Sequence, residues 1–146
     1  VPFVKGLADL ASKQGEKNGQ IRTVMGRKCR FHLWEPVTYG VGKPLPYEEA
    51  MKEYGGPGGK GIRRAFTYKA LNKLIQGSAA DQTKKAMLDC YNEGFTPMLT
   101  VHDELCFNIE SEEQTARIKE IMETGIKLSI PSKIDVDIKD DWGEIE

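Results

Sequence analysis

Two apolar runs separated by only two polar residues constrain the fold of this chain more than any other feature. Pro97–Val101 comes before the pair His102 and Asp103, and Glu104–Ile109 comes after it. A two-residue gap favours a tight antiparallel β-hairpin, and aspartate tolerates the left-handed backbone conformation that such turns need. Every second residue of the later run is leucine, phenylalanine or isoleucine, which predicts a half-buried strand. We therefore expect a β-hairpin with polar side chains at its tip.

Helical and strand patterns on both sides of the hairpin predict an α+β fold. Helices are expected over about residues 2–18 and 62–75, from Ser78 to Asn92 after a break or kink at Gly77, and, behind a capping box of Ser111 and Gln114, to about Leu128. Short strands are expected around the glycine turn at Gly26 and at 134–138, where apolar and charged residues alternate. The predicted architecture is a small antiparallel sheet, made of the hairpin and the C-terminal strand, packed with several α-helices.

Residues 35–61 differ from the rest because they hold most of the prolines and a run of glycines. This composition predicts an exposed loop with one short helix near Tyr47–Tyr54. The full length of 146 residues suits a single domain or a fragment of a larger one. Because the first residue is Val1 rather than methionine, we interpret 1–146 as one fragment of a longer chain.

Charge and cysteine usage exclude several classes of protein. The net charge is −1, so any binding of nucleic acid must come from local clusters of lysine and arginine. The three cysteines are odd in number and widely spaced, which favours neither a disulfide framework nor a zinc site. The longest uncharged stretches are too short to cross a bilayer, so no membrane partner is expected. A reducing cytoplasm is the expected location.

The hairpin tip combines three side chains that can serve at a metal site. Carboxylates such as those of Asp103 and Glu104 suit Mg²⁺, which prefers a few carboxylates together with water and phosphate oxygens. His102 lies beside them. In phosphoryl transfer, two such ions stabilise the attacking and leaving oxygens. The alternative is an ordinary solvated turn, which the five residues Val101–Leu105 taken alone favour.

Two further groups of residues could contact nucleic acid. Asn72 and Gln76 are four residues apart and share one face of a predicted helix, where their amides could donate to acceptors of the minor groove. Basic residues surround the glycine turn and continue beyond it, namely Arg22, Arg27, Lys28, Arg30, Lys60, Arg63, Arg64, Lys69, Lys73, Lys84 and Lys85. This clustering in the first part of the chain supports phosphate binding. Solvated surface faces are the alternative for both groups.

Two common enzyme motifs are excluded. A phosphate-binding loop of the Walker type would need a glycine at Tyr54 and a serine or threonine at Gly61. A serine hydrolase is unsupported, because no serine has the sequence context of a nucleophile elbow.

Four segments in this order resemble the DNA polymerases of family A. They are the basic strand and turn Arg22–Lys28, the segment Asn72–Asp81 with its Gln-Gly and Ala-Ala-Asp, the hairpin motif Val101–Leu105, and Asp141-Trp142 near the end. The resemblance covers nearly the whole chain and is strongest from Arg63 to Ile109. It implies that the expected cytoplasm is that of a bacterium or of a phage-infected cell. Many relatives carry an arginine where this chain has Tyr68, which leaves that contact open.

The resemblance implies a role for each matching residue. Asp103 would be one of two metal-binding aspartates, with Glu104 assisting the Mg²⁺ site and His102 holding the primer end. Asn72 and Gln76 would touch the minor groove of the nascent base pair. The basic residues Arg27 and Lys28 would lie near primer phosphates, in the cluster that also contains Arg30.

The resemblance also implies parts that these residues do not contain. The other catalytic aspartate and the nucleotide-binding helix of the family match no segment here. We therefore expect the C-terminal part of a polymerase that is inactive alone, with a missing N-terminal half, primer–template DNA and deoxynucleoside triphosphates as partners. An unpaired sheet edge makes self-association a further expectation. Two alternatives stay open: a DNA-binding module without chemistry, and a carboxylate metallohydrolase built on the hairpin tip.

Overall fold

The computed structural model describes residues 2–38, 40–59 and 61–141, which divide into two compact units. The first unit runs to Ser78 and the second begins at Ala79. The described residues form α-helices and small antiparallel sheets, which confirms the predicted α+β class.

The first unit begins with helix α1 (Pro2–Asn18), which ends at Gly19 in the left-handed conformation. This glycine ends the helix, since residues with a side chain rarely adopt that conformation. Strand β1 (Gln20–Arg22) then pairs antiparallel with β2 (Lys28–Arg30), and Gly26 takes a positive φ in the turn between them. The buried core of this part consists of Ala11, Ile21, Phe31 and Ala70.

The segment predicted as a loop contains more regular structure than expected. The predicted short helix is present as α2 (Tyr47–Tyr54). Strands β3 (Leu33–Pro36), β4 (Leu45–Pro46) and β5 (Ile62–Arg64) form a three-stranded antiparallel sheet in the order β4-β3-β5. Pairing across this sheet joins residues far apart in sequence, which local proline and glycine content does not reveal.

The helix predicted over residues 62–75 begins later than expected. Residues 62–64 belong to β5, where Arg63 forms an ion pair with Glu35 on the neighbouring strand. Phe66 then adopts a left-handed conformation, and a short 3-10 helix (Thr67–Lys69) leads into helix α3 (Ala70–Asn92). The prediction of a helix from Ile62 was wrong because cross-strand pairing overrides helical propensity there.

Helix α3 continues through Gly77 and Ser78, so the predicted break at these residues was wrong. The hydroxyl of Ser78 donates to the carbonyl of Leu74 at 2.7 Å, a bond that serine can form inside a helix. Gly77 is helical as well, although glycine costs about 1 kcal/mol relative to alanine within a helix. Close packing of α3 against the β1–β2 turn at this position explains why a glycine is present.

The second unit has its own core and contains the hairpin. Cys90, Ile118 and Ile121 are buried together, the last two on helix α4 (Glu112–Thr124). The predicted cap of α4 is present, because Ser111 Oγ accepts from the amide of Gln114 at 3.4 Å. Strands β6 (Pro97–Val101) and β7 (Glu104–Phe107) pair antiparallel, which confirms the hairpin.

The prediction of a C-terminal strand was wrong. Residues 134–138 are not in a strand, and the described part of the chain places only β6 and β7 in this sheet. The amide of Ile134 instead donates to Glu123 Oε1 at 3.1 Å. Val136 and Ile138 remain 43% and 59% exposed. Alternation indicates which side chains share a face, but a strand also needs a partner, and none of the described segments provides one.

Candidate functional site

The segment Arg22–Arg30, named the basic turn, is held in its conformation by its own hydrogen bonds. The amide of Thr23 donates to the carbonyl of Arg27 at 3.0 Å, and Thr23 Oγ1 accepts from the amide of Arg27 at 3.1 Å. The guanidinium of Arg22 donates to the carbonyl of Gly26 at 3.0 Å. Thr23 is 5% exposed, whereas four basic side chains of the turn are exposed, namely Arg22, Arg27, Lys28 and Arg30. The turn therefore presents positive charge on a fixed backbone.

The predicted pair on helix α3 is exposed on one face, named the polar helix face and consisting of Asn72 and Gln76. Lys73 lies next to it, with its ammonium 5.2 Å from the centre of the Phe31 ring. Tyr68, one turn before Asn72, is 69% exposed. The amides of the polar helix face are thus accessible to solvent.

The basic turn and helix α3 are joined by two hydrogen bonds. Ser78 Oγ accepts from the amide of Val24 at 3.1 Å, and the carbonyl of Gly77 accepts from the Arg27 guanidinium at 2.6 Å. The first unit therefore holds together the predicted DNA-binding residues Arg27, Lys28, Arg30, Asn72 and Gln76. Sequence reasoning missed these contacts of Gly77 and Ser78, although a Gly-Ser pair inside a strong helix was a signal that something packs against it.

The hairpin tip, consisting of His102, Asp103 and Glu104, lies in the second unit. All three residues are exposed, and Glu104 pairs with Val101 in the sheet register. His102 has a φ of 55°, so histidine adopts the left-handed conformation that was expected of Asp103. The tight turn was predicted correctly, and the residue that bears its unusual backbone conformation was not.

The described residues do not form a complete metal site. Among them, no group of three or more histidine, cysteine, aspartate or glutamate side chains lies close enough to hold an ion. Asp103 and Glu104 offer the oxygen ligands that Mg²⁺ accepts, and Mg²⁺ sites in phosphoryl-transfer enzymes commonly use one or two carboxylates plus substrate phosphates. The hairpin tip fits one side of such a site and requires further ligands.

Some sequence-predicted residues lie outside the described part of the chain. Lys60 of the basic cluster and Trp142 of the C-terminal motif are among them. Asp81, the aspartate of the Ala-Ala-Asp motif, is 6% exposed on helix α3. Its burial makes it unsuited to contact a ligand directly from the surface. No described helix is long and apolar enough to cross a membrane.

Comparison with known proteins decides the family. Residues 2–144 match the sequence profile of DNA polymerase family A. The chain belongs to this family. It is 36% identical to a DNA-directed DNA polymerase of Pseudomonas phage M6, over 98% of this chain and 18% of the phage protein. It is also 30% identical to the thermostable DNA polymerase I of Thermus aquaticus, over 97% of this chain and 15% of that protein.

A solved structure supports the same family A assignment. The POL domain of Pol1 from M. smegmatis, in complex with DNA primer–template and dNTP, superimposes with a TM-score of 0.59 at 26% identity. The alignment covers 88% of this chain and 20% of that one. The chain therefore spans no more than about a fifth of the proteins it matches. The resemblance inferred from four short segments is confirmed.

Proposed function

We propose that this chain is one part of a DNA-directed DNA polymerase, and that it takes part in template-directed nucleotidyl transfer to a primer 3′ end by two-metal catalysis. The match of residues 2–144 to DNA polymerase family A is the observation that carries this proposal. The two relatives described above are DNA polymerases, and the solved neighbour is a complex with primer–template and dNTP. Primer–template DNA and deoxynucleoside triphosphates are therefore the proposed partners.

The first unit is proposed to hold the primer–template. Lys28 and Arg30 are exposed cations on the basic turn, suited to phosphate oxygens. Arg27 is assigned to the same surface, with one guanidinium nitrogen already donating to Gly77. Asn72 and Gln76 would donate to minor-groove acceptors, which occur in every base pair and therefore allow binding without sequence preference.

The hairpin tip is proposed to supply one side of the catalytic centre. Asp103 would bind Mg²⁺ with help from Glu104, and His102 would hold the primer end. When bound, the ions would neutralise the charge that develops on the attacking and leaving oxygens. Exposure of all three side chains at a tight turn supports this role, because a primer end can reach them.

The remaining ligands are proposed to come from a complementary part of the polymerase, including the second metal-binding aspartate. The absence of a group of three metal-ligating side chains among the described residues supports this division. The chain alone is accordingly expected to be inactive. Within the described residues the β6–β7 hairpin pairs with no third strand, so its edges are proposed to pair with the complementary part or with a second copy of this chain.

A chimera tests the proposal directly. This chain would replace the matching 18% of the phage M6 polymerase, and primer extension would be measured with Mg²⁺. We expect template-directed incorporation by the chimera and none by the chain alone. Asp103→Asn in the chimera should abolish incorporation, whereas Asp135→Asn, which changes an exposed aspartate outside the hairpin, should preserve it.

Equal activity of the Asp103→Asn and parent chimeras would exclude the proposed catalytic carboxylate. Incorporation by the chain alone that Asp103→Asn removes would mean that its own residues complete the metal site. Circular dichroism of each chimera would establish that a loss of activity does not reflect a loss of fold.

A second candidate is a DNA-binding module that holds primer–template without chemistry. The observation that favours it is the contrast between the hydrogen-bonded basic turn and the incomplete metal site of the described residues. This candidate predicts salt-sensitive DNA binding by the chain, and a chimera whose activity does not depend on Asp103. The chimera experiment therefore separates the two candidates.

A further inference from the structure

Gly77 lies at a close approach between helix α3 and the basic turn. A β-carbon at position 77 would lie 2.8 Å from Thr23 Cγ2, closer than the two carbon atoms can pack. The same β-carbon would lie 3.5 Å from the Arg27 guanidinium and 3.7 Å from Cys29 Sγ. A side chain at position 77 would force the Thr23 side chain, or the turn that carries it, to move. Glycine is thus required by packing, not by the backbone conformation of the helix.

Ser78 provides the hydrogen bonds at this approach. Its hydroxyl donates to the carbonyl of Leu74 at 2.7 Å within the helix and accepts from the amide of Val24 at 3.1 Å on the turn. The hydroxyl therefore has a donor and an acceptor partner at the same time, which fixes its rotamer. This bond joins residues that are 54 positions apart in the sequence.

Thr23 and Arg27 complete the contact from the other side. Thr23 is 5% exposed, and its hydroxyl accepts from the amide of Arg27, which sets the curvature of the turn. The Arg27 guanidinium then donates to the carbonyl of Gly77 at 2.6 Å. We name these residues, Thr23, Val24, Arg27, Gly77 and Ser78, the turn–helix contact.

The turn–helix contact lies directly beside the residues proposed to bind DNA. Gln76 precedes Gly77 in helix α3, and Lys28 follows Arg27 in the basic turn. Both are exposed. A rigid junction between them fixes the spacing between a minor-groove donor and a phosphate-binding cation, so that neither must be ordered when DNA binds.

We propose that Gly77 and Ser78 are positioning residues that fasten the basic turn to helix α3, so that Lys28 and Gln76 engage one primer–template as a unit. The proposal rests on the proposed function, because it assumes that this surface binds DNA. A role in folding alone would be the simpler explanation. The two explanations differ in one respect: positioning makes the contributions of Lys28 and Gln76 depend on each other, and folding alone does not.

The first experiment needs no DNA. Amide hydrogen exchange of the full chain would be followed at Val24 and Arg27 in the parent protein and in Ser78→Ala. We expect faster exchange at both amides in the variant. Ser78→Thr, which keeps the hydroxyl, should restore slow exchange. Thr83→Ala is the matched control, because the Thr83 hydroxyl also donates to a helix carbonyl, that of Ala79 at 3.4 Å.

Gly77→Ala supplies an independent variant with a contrasting control. Alanine favours the helix, so a substitution that affected only α3 would stabilise it. We expect instead that the basic turn is displaced and that Val24 exchanges faster. Gly6→Ala changes a helical glycine of α1 with no atom within 4 Å of the added carbon, and it should leave Val24 unaffected.

The second experiment measures binding of the full chain to a primer–template duplex at low salt. Ser78→Ala should weaken binding about threefold to tenfold, the effect of one hydrogen bond. In a double-mutant cycle, Lys28→Ala and Gln76→Ala should be coupled in the parent protein and additive in the Ser78→Ala background.

The outcomes separate this proposal from the proposed function. Unchanged exchange at Val24 in both Ser78→Ala and Gly77→Ala would overturn the turn–helix contact. Either of two results would overturn the positioning role alone. One is faster exchange with unchanged affinity for the duplex. The other is faster exchange with additive effects of Lys28→Ala and Gln76→Ala on affinity in the parent protein. A chain that binds no duplex, or one indifferent to Lys28→Ala and Gln76→Ala, would instead overturn the DNA-binding part of the proposed function, and the positioning role with it.

Discussion

The basic turn of the first unit and the hairpin tip of the second both place charged side chains on a tight turn between antiparallel strands. The basic turn is joined to helix α3 through Ser78 and Gly77. The described part of the chain shows no hydrogen bond from the side chains of His102, Asp103 or Glu104. It also shows no group of metal-ligating side chains around them. Hydrogen bonds to helix α3 therefore hold the basic turn, and no comparable contact of the tip side chains is seen among the described residues.

This difference follows from what each turn is proposed to bind. Phosphate and minor-groove contacts need fixed spacing between several residues, and a single unit can provide it. A two-metal centre for phosphoryl transfer needs more ligands than one turn offers, including substrate phosphates, so it forms only when those groups meet. The comparison predicts that changes in the first unit alter DNA affinity and stability, whereas changes at the tip alter only the chemistry of an assembled enzyme.

The largest effect on stability is expected at the core beneath the basic turn. Phe31 is 3% exposed, packs against Gly15, and lies 5.2 Å from the Lys73 ammonium. Phe31→Ala should lower the free energy of unfolding by about 3–5 kcal/mol. Urea unfolding followed by intrinsic tryptophan fluorescence would measure it. Phe3→Ala, at a residue that is 72% exposed, is the control and should have little effect.

Each unit has a separate buried cluster, so the independent stability of the two units can be tested. If Phe31→Ala raised amide exchange in β6 and β7 as much as in β1 and β2, the two units would unfold together. Exchange confined to β1 and β2 would support two cores of independent stability.

The next effect concerns DNA affinity at the two turns. Lys28→Ala should weaken duplex binding and reduce the slope of log affinity against log salt by about one, because one phosphate contact is lost. Asp103→Asn removes a negative charge from the hairpin tip, so it should not weaken binding. Fluorescence anisotropy over a range of salt concentrations would measure both. Weaker binding by Asp103→Asn with an unchanged Lys28→Ala would reverse the assignment of the two turns.

Local patterns in the sequence predicted much of this molecule. The hairpin, the cap at Ser111 and the glycine that ends α1 each depend on neighbours within a few positions. The continuity of α3 through Gly77 could not be predicted from local sequence. A glycine is needed there because the helix packs closely against Thr23, which is distant along the chain.

The same limit explains the C-terminal segment and the candidate site. Alternation at 134–138 predicted a strand, and this prediction was wrong because a strand forms only with a partner. The exposed residues Lys28, Gln76 and Asp103 were predicted as site residues from motifs, since solvent-facing positions carry little periodic signal. The contacts that hold the basic turn against helix α3 were not predicted, because the hydrogen bond between Val24 and Ser78 joins two distant segments.

A smaller effect distinguishes the three cysteines. Cys90 is fully buried in the second core, and burial raises the pKa of its thiol, with nearby Asp89 and Glu93 acting in the same direction. Cys29 and Cys106 are partly exposed. At neutral pH we expect Cys90 to react with a thiol reagent at least about tenfold more slowly than the other two. Mass spectrometry of timed samples would assign the sites, and equal rates would contradict a closed second core.

The smallest effect is a pH dependence at the start of α4. The nearby Ser111 hydroxyl favours the charged carboxylate and holds the pKa of Glu113 below its ordinary value, and the amide at Glu113 acts in the same direction. Because the folded pKa is lower than the unfolded one, the stabilising contribution is complete at neutral pH. It is lost as the pH falls through the unfolded and then the folded pKa. Glu113→Gln should therefore lower the thermal midpoint slightly at pH 7 and not at pH 3.

Glu112→Gln is the matched control for this effect, since it removes a charge from the same first turn of α4. Both carboxylates interact favourably with the helix dipole, so the difference between the two variants isolates the contact with Ser111. In a Ser111→Ala background that difference should disappear. If Glu113→Gln destabilised the protein more at pH 3 than at pH 7, the depressed pKa would be contradicted. A difference that persisted without Ser111 would assign the effect to the helix backbone instead.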